Sequence, residues 1–230
     1  MSGSLPRREE VCTVFPIVLV LILSIALTLL CSAIPWLARP LHTWPLVIGL
    51  VVGLVVGVTL SLVGTVRALP LSPWTDLVVL VVAWSGGLLL GRGIAPRFRP
   101  FLLLFLCFSV VDVLLALGGY PQTPQRAVGS SPLLSADFIL VLPWGRFAIN
   151  VVDLLLLTVL AEHWRRRGAS YLIALLPGVL GFLLADGLIL VTKLGILPGI
   201  PFFTAGYVLT EGVYRYISRR RPSPPAKLAR

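Results

Sequence analysis

The sequence predicts an all-α protein, a polytopic transmembrane helical bundle of about seven helices. Three observations carry this expectation. Of 230 residues, 57% are hydrophobic and only 12% are charged, whereas soluble domains carry roughly 25% charged residues. The mean hydropathy is +0.99. Apolar runs recur along the chain with lengths near the ~20 residues that a helix needs to cross a bilayer, where helices satisfy their own backbone polar groups.

The first apolar segment covers about 11–37. Arg7 and Arg8 precede it and "CSA" closes it, which is the layout of a signal peptide. Its apolar run of about 20 residues exceeds the roughly 7–15 of a cleaved signal, so a retained helix is expected. "LTLLCSA" is not a lipidation box, because Leu30 stands where a small residue should precede Cys31. The second segment, about 46–66, repeats small residues every four positions at Gly49, Gly53, Gly57 and Ser61. That stripe predicts close helix packing. The third, about 75–91, follows "SPWT", and Asp76 reads as a helix-start acid. The fourth covers about 100–118 and the fifth about 147–161. The fifth is short. It either extends back through "FILVLPW" or leaves that stretch in the interface, anchored by Trp144. The sixth, about 170–191, contains Pro177 and Gly178, which are expected to bend it. The seventh covers about 199–214. Residues 1–218 then form one membrane domain, and 219–230 form a basic, disordered tail that can touch anionic membrane lipids.

The formal net charge is +10, but its distribution excludes nucleic acid as a partner. The basic residues sit between apolar segments and in the tail. One side of the membrane collects thirteen of the 19, including Arg39, Arg92, Arg97, Arg99, Arg165, Arg166, Arg167 and Arg215. The other holds Arg7, Arg8, Arg67, Arg126, Arg146 and Lys193. The positive-inside rule therefore makes the C-terminus cytoplasmic and the loop 119–146 extracytoplasmic, in a multi-pass protein of the plasma membrane.

Cys12, Cys31 and Cys107 all lie in apolar runs without a CxxC pair, and read as small apolar residues. His163 follows Glu162, but no HExxH spacing exists. A solvated or interfacial face is expected there, and no metal or other cofactor is expected anywhere.

Asp76, Asp112, Asp137, Asp153 and Asp186 stand in or beside apolar sequence. An ionisable group in a bilayer costs several kcal/mol, so it faces protein or water and usually has a task. For Asp112 and Asp186 two readings stand level: a proton or cation path, or a neutral group bonded to a neighbouring helix. Arg146, Asn150 and Asp153 are four and three residues apart. On a helix over 147–161, Asn150 and Asp153 would project from one face near its outer end. Asp137 would arrive from the outer loop. Two carboxylates meeting at a wet membrane boundary suit aspartic protease chemistry, because like charges a few ångströms apart share one proton.

The segments "ALGGYPQTPQR", "SADFI" and "FAINVVD" resemble the catalytic region of the lipoprotein signal peptidase (signal peptidase II) family, over about 99–167. The resemblance implies a four-helix peptidase-like core within the bundle. It implies Asp137 and Asp153 as the catalytic pair, with Asn150, Arg126, Gly118 and Gly119 in support. Gln122 and Gln125 stand where the family has Asn and Asp, and Val152 occupies a normally small position. The implied activity is cleavage of a lipid-modified precursor protein at the outer face of the membrane, with neither metal nor nucleotide. Two other readings remain open. One is a proton- or cation-coupled transporter using Asp112, Asp153 and Asp186; the other is a non-catalytic scaffold derived from the peptidase fold.

Overall fold

The computed structural model describes residues 22, 24–67, 72–94, 96–117, 139–141, 148–192 and 199–220. Seven helices occur among them: α1 (Ser24–Leu37), α2 (Thr43–Arg67), α3 (Ser72–Gly93), α4 (Phe98–Leu117), α5 (Val151–Arg166), α6 (Tyr171–Thr192) and α7 (Ile200–Arg220). The predicted seven-segment order therefore holds for the described residues, with shifted ends. The third helix begins three residues before its apolar run, and Pro73 sits in its first turn, where a missing N–H costs nothing. No acidic residue falls in that turn, so Asp76 is not a helix-start acid.

The largest shift is at the fifth helix. Ile139–Val141 (β1) and Ala148–Asn150 (β2) form an antiparallel ladder that pairs Ile139 with Asn150, Leu140 with Ile149, and Val141 with Ala148. The backbone of 148–150 is committed to that ladder, so α5 starts only at Val151. "FILVLPW" therefore does not lengthen the helix, and the all-α expectation misses this short hairpin. At its other end α5 runs on to Arg166, because "AEHW" is buried. It stops at Gly168, whose φ of 73° suits glycine. The amide of Gly168 donates to the Arg165 carbonyl at 3.0 Å and that of Ala169 to the Trp164 carbonyl at 3.1 Å. Those two bonds are the Schellman closure of a helix C-terminus.

Glycine decides how closely the helices approach. An added Cβ at Gly49 would meet Ser85 Oγ at 2.9 Å, and one at Gly53 would meet Val82 Cγ2 at 2.8 Å. The small-residue stripe of α2 therefore lies on α3, as its spacing predicts. A second stripe, Ala83, Gly87 and Gly91 on α3, faces α5. A Cβ at Gly87 would meet Thr158 Cβ at 2.7 Å and the Leu155 carbonyl oxygen at 2.8 Å, and one at Gly91 would meet Glu162 at 2.9 Å. Both partners advance four residues in the same direction, so α3 and α5 run parallel. α5 and α7 also run parallel, since His163 meets Tyr207 and Arg167 meets Glu211, whereas α2 and α3, α4 and α7, and α6 and α7 are antiparallel. Gly178 of α6 lies against Thr28 of α1 and Leu157 of α5. Gly206 of α7 sits under the Pro177 carbonyl, so α7 packs directly on the proline turn of α6.

The core centres on α5, with Leu154, Leu156, Leu157, Val159, Leu160 and Trp164 packed among Phe101, Phe105, Phe203 and Tyr207. The outward faces of α2, α4 and α7 are also apolar. Thr43–Leu60 is long and apolar enough to cross a membrane by length and composition, and only 17% of it is buried, unlike the core helix of a soluble protein. Three further apolar helices, Ser24–Leu37, Leu77–Gly93 and Tyr171–Ala185, are shorter.

Gly87→Ala is expected to lower stability by about 1–3 kcal/mol, because a fixed carbonyl and Thr158 occupy the space. Gly212→Ala, where a Cβ meets nothing within 4 Å, should instead gain about 0.5–1 kcal/mol from helix propensity. Thermal unfolding of the two variants in detergent reads both signs.

Candidate functional site

The helix directions gather charged groups at two opposite ends of the bundle. At the first, α4, α5 and α7 bring Asp112, Asp153 and Gly199 together. Gly199 is the N-cap of α7: its carbonyl accepts from the amides of Phe202 at 3.1 Å and Phe203 at 3.3 Å. Glycine has no side chain to cap with, and Pro201 lacks an amide. Asp112 supplies the cap from α4, its Oδ2 accepting from the Ile200 amide at 3.0 Å. Three residues before it, Ser109 Oγ lies 2.8 Å from Thr204 Oγ1. Asp112 thus bonds to a neighbouring helix.

Asp153 lies in the first turn of α5 and is partly buried. A Cβ added at Gly199 would stand 3.4 Å from its Oδ1 and 3.7 Å from Oδ2. The bare glycine thus leaves room for the carboxylate against the start of α7. Asn150 does not share a helical face with Asp153, contrary to expectation. It is the last residue of β2, paired with Ile139. Extended backbone alternates sides every residue, so the i, i+3 relation of a helix does not apply across this junction.

Asp137, Arg126, Gly118, Gly119, Gln122, Gln125 and Arg146 lie outside the described residues. The backbone of Asp186 belongs to α6.

The opposite end holds a network of interior charge where a solvated or interfacial face is expected. Glu162 and His163 are not on a solvated or interfacial face; they are 0% and 1% exposed. Glu162 accepts from Arg165 Nε and Nη2, both at 2.7 Å, and Arg92 Nε stands 3.7 Å away. This bidentate carboxylate raises Arg165 above its ordinary value. Arg92 also donates to the carbonyls of Leu41 at 2.8 Å and Ala38 at 2.9 Å, tying the α1–α2 turn to α3. Arg166 Nη1 lies within 2.9 Å of the carbonyl oxygens of Gly91, Arg92 and Ile94, and so closes the C-terminus of α3. Arg167 pairs with Glu211 of α7, with its guanidinium 4.8 Å from the Trp164 ring centre and 5.0 Å from that of Tyr214. Arg215 Nε completes Glu211 at 2.7 Å. Beside them, the His163 ring stacks on Phe101 at 3.9 Å between centroids, and its Nε2 lies 3.0 Å from Tyr207 Oη. Among the described residues no group of three His, Cys, Asp or Glu side chains could hold a metal.

The chain matches no family model, no curated protein and no solved structure with which it was compared.

The first end should respond to loss of the cap. Asp112→Ala removes the acceptor of the Ile200 amide and is expected to cost about 0.5–2 kcal/mol. Asp112→Asn keeps an acceptor and loses only the charge at the helix N-terminus, about 0.3–1 kcal/mol. Equal melting temperatures for the two variants would contradict the capping role. At the opposite end, Glu162→Ala leaves the part-buried guanidinium of Arg165 without its carboxylate and should cost about 1–3 kcal/mol. The exposed Arg219→Ala should stay within about 0.5 kcal/mol of the parent in the same denaturation series.

Proposed function

We propose that the chain is an intramembrane aspartic endopeptidase of the lipoprotein signal peptidase type. It crosses the plasma membrane several times, with a cytoplasmic C-terminus. The single observation that carries this reading is the β1–β2 register. Ile139 faces Asn150 across the ladder. Asp137 precedes Ile139 by two residues, and Asp153 follows Asn150 by three. In sequence, each of the two aspartates thus lies within two or three positions of one paired backbone residue. Asp153 stands at the bundle end opposite the arginine network, where the charge bias puts the extracytoplasmic side. The exposed apolar faces of α2, α4 and α7 support a bilayer around the bundle.

In this mechanism the two aspartates share a proton. The ionised member takes a proton from water as the water attacks the scissile carbonyl. The protonated member donates to the carbonyl oxygen; as the tetrahedral intermediate collapses, the proton taken from water passes to the leaving amine and a hydroxyl proton returns to the other aspartate. Arg126 and Asn150 support the loop and the pair. Cleavage falls before the lipid-modified cysteine of a precursor protein, whose acyl chains remain in the bilayer.

Asp137→Asn and Asp153→Asn should each lower processing of a diacylglyceryl-modified precursor by at least about 10³-fold, because attack and protonation need both groups. Asp112→Asn and Asp186→Asn should stay within about tenfold of the parent. The measurement is precursor cleavage by full-length protein in membranes. Cleavage that survives Asp137→Asn, or none by the parent on any lipidated precursor, would sink the proposal.

A further inference from the structure

We infer a binding site for the phosphate group of an anionic lipid at the arginine-rich end, where the start of α4 meets the end of α7. A cavity of about 600 Å³ opens there, lined by Arg97, Phe98, Arg99, Pro100 and Arg215. Three guanidinium groups thus border one concavity that contains no carboxylate. Among the described residues, Arg97 and Arg99 take part in none of the ion pairs. Both are exposed. Arg215 is already positioned: its Nε is held by Glu211 at 2.7 Å and its guanidinium lies 5.0 Å from the centre of the Phe98 ring. A guanidinium has five N–H donors in a planar fork, so the anchored Arg215 retains donors for a further anion.

The surface beside the cavity identifies the ligand as a lipid. Arg99 heads a continuous face of α4 formed by Leu103, Leu106, Val110, Leu114 and Leu117, all exposed. Their spacings of four, three, four, four and three residues keep them on one side of the helix. From Arg99 to Leu117 is 18 residues, or roughly 27 Å at 1.5 Å per residue. That is close to the hydrocarbon thickness of a bilayer, about 30 Å. A phosphate held by the arginines therefore leaves its acyl chains beside apolar side chains along the whole helix. A free phosphate ion would use the arginines but gain nothing from that face. The site rests on the membrane reading and is independent of the peptidase chemistry.

The test uses full-length protein reconstituted in vesicles of equimolar phosphatidylglycerol and phosphatidylcholine, then extracted in detergent for native mass spectrometry of retained lipid. The expected result is preferential retention of phosphatidylglycerol. The Arg97→Gln, Arg99→Gln double variant should weaken that retention roughly 10- to 30-fold, given about three- to fivefold per surface arginine. Arg39→Gln, at the same end but outside the cavity, should leave it unchanged. Both altered positions are exposed and carry no ion pair, so the fold should persist, as an unchanged melting temperature in neutral detergent would verify. Equal retention of the two lipids, or a double variant that retains phosphatidylglycerol like the parent, overturns the site. Inorganic phosphate that displaces the lipid and stabilises the parent equally well overturns the lipid assignment in favour of a free-anion site. Failure to enter vesicles at all overturns the membrane reading with it. Loss of precursor cleavage alone touches only the proposed peptidase.

Discussion

Two carboxylates carried into the interior, Glu162 and Glu211, must each have a cation within hydrogen-bonding reach, and one whole end of the bundle is arranged around that need. Glu162 leaves α5 beside Gly91, the glycine that lets α3 approach closely. Arg165 and Arg92 answer it from α5 and α3. Glu211 leaves α7 and is answered by Arg167 and Arg215. Since Arg92 also holds the α1–α2 turn and Arg166 closes α3, five of the seven helices among the described residues meet in one polar layer. Buried ion pairs contribute little net stability against apolar replacements, but half of such a pair is costly to leave alone. The layer therefore acts on arrangement: it penalises any packing that separates these helix ends.

The opposite end uses a different device. The last helix begins at a glycine followed by an isoleucine and a proline, a start that provides no side-chain cap of its own. Asp112 provides it from α4, and Asp153 of α5 adjoins the same glycine. The position of α7 is thus set at one end by a borrowed cap and at the other by Glu211. Between them, Ser109 with Thr204 and the ring contacts of Phe101 and Phe105 with Tyr207 keep α4 and α7 in register. Any chemistry by Asp153 takes place on a framework held at both ends.

Much of this was legible in the sequence, and the misses share one cause. Apolar runs gave the number and order of the helices, because length and hydropathy are local properties. The stripe at Gly49 and Gly53 was readable because its spacing repeats within one helix. In sequence, the triplet Arg165, Arg166 and Arg167 is only a topology signal. Its members take three different partners: Glu162 one turn back on the same helix, the carbonyls ending α3, and Glu211 of α7. Glu162 and His163 were expected on a wet face because a polar pair at the end of an apolar run usually lies there. Their burial depends on aromatic rings of α4 and α7, about 60 and 45 residues away in sequence. Ala83, Gly87 and Gly91 were as regular as the stripe of α2, and their four-residue spacing could have revealed the α3–α5 contact.

By itself the sequence determined the helical class, the segment order and the charge asymmetry between the two ends. These follow from composition and from spacing along one chain. Only the tertiary structure decided that Asn150 belongs to a strand rather than a helix face, that Asp112 caps another helix, and that Glu162 and Glu211 are interior. The physical reason is the same in each case. A hydrogen bond or an ion pair is made with a group from a distant element, and the energy that fixes a residue's role lies in that partner, which the local sequence does not name.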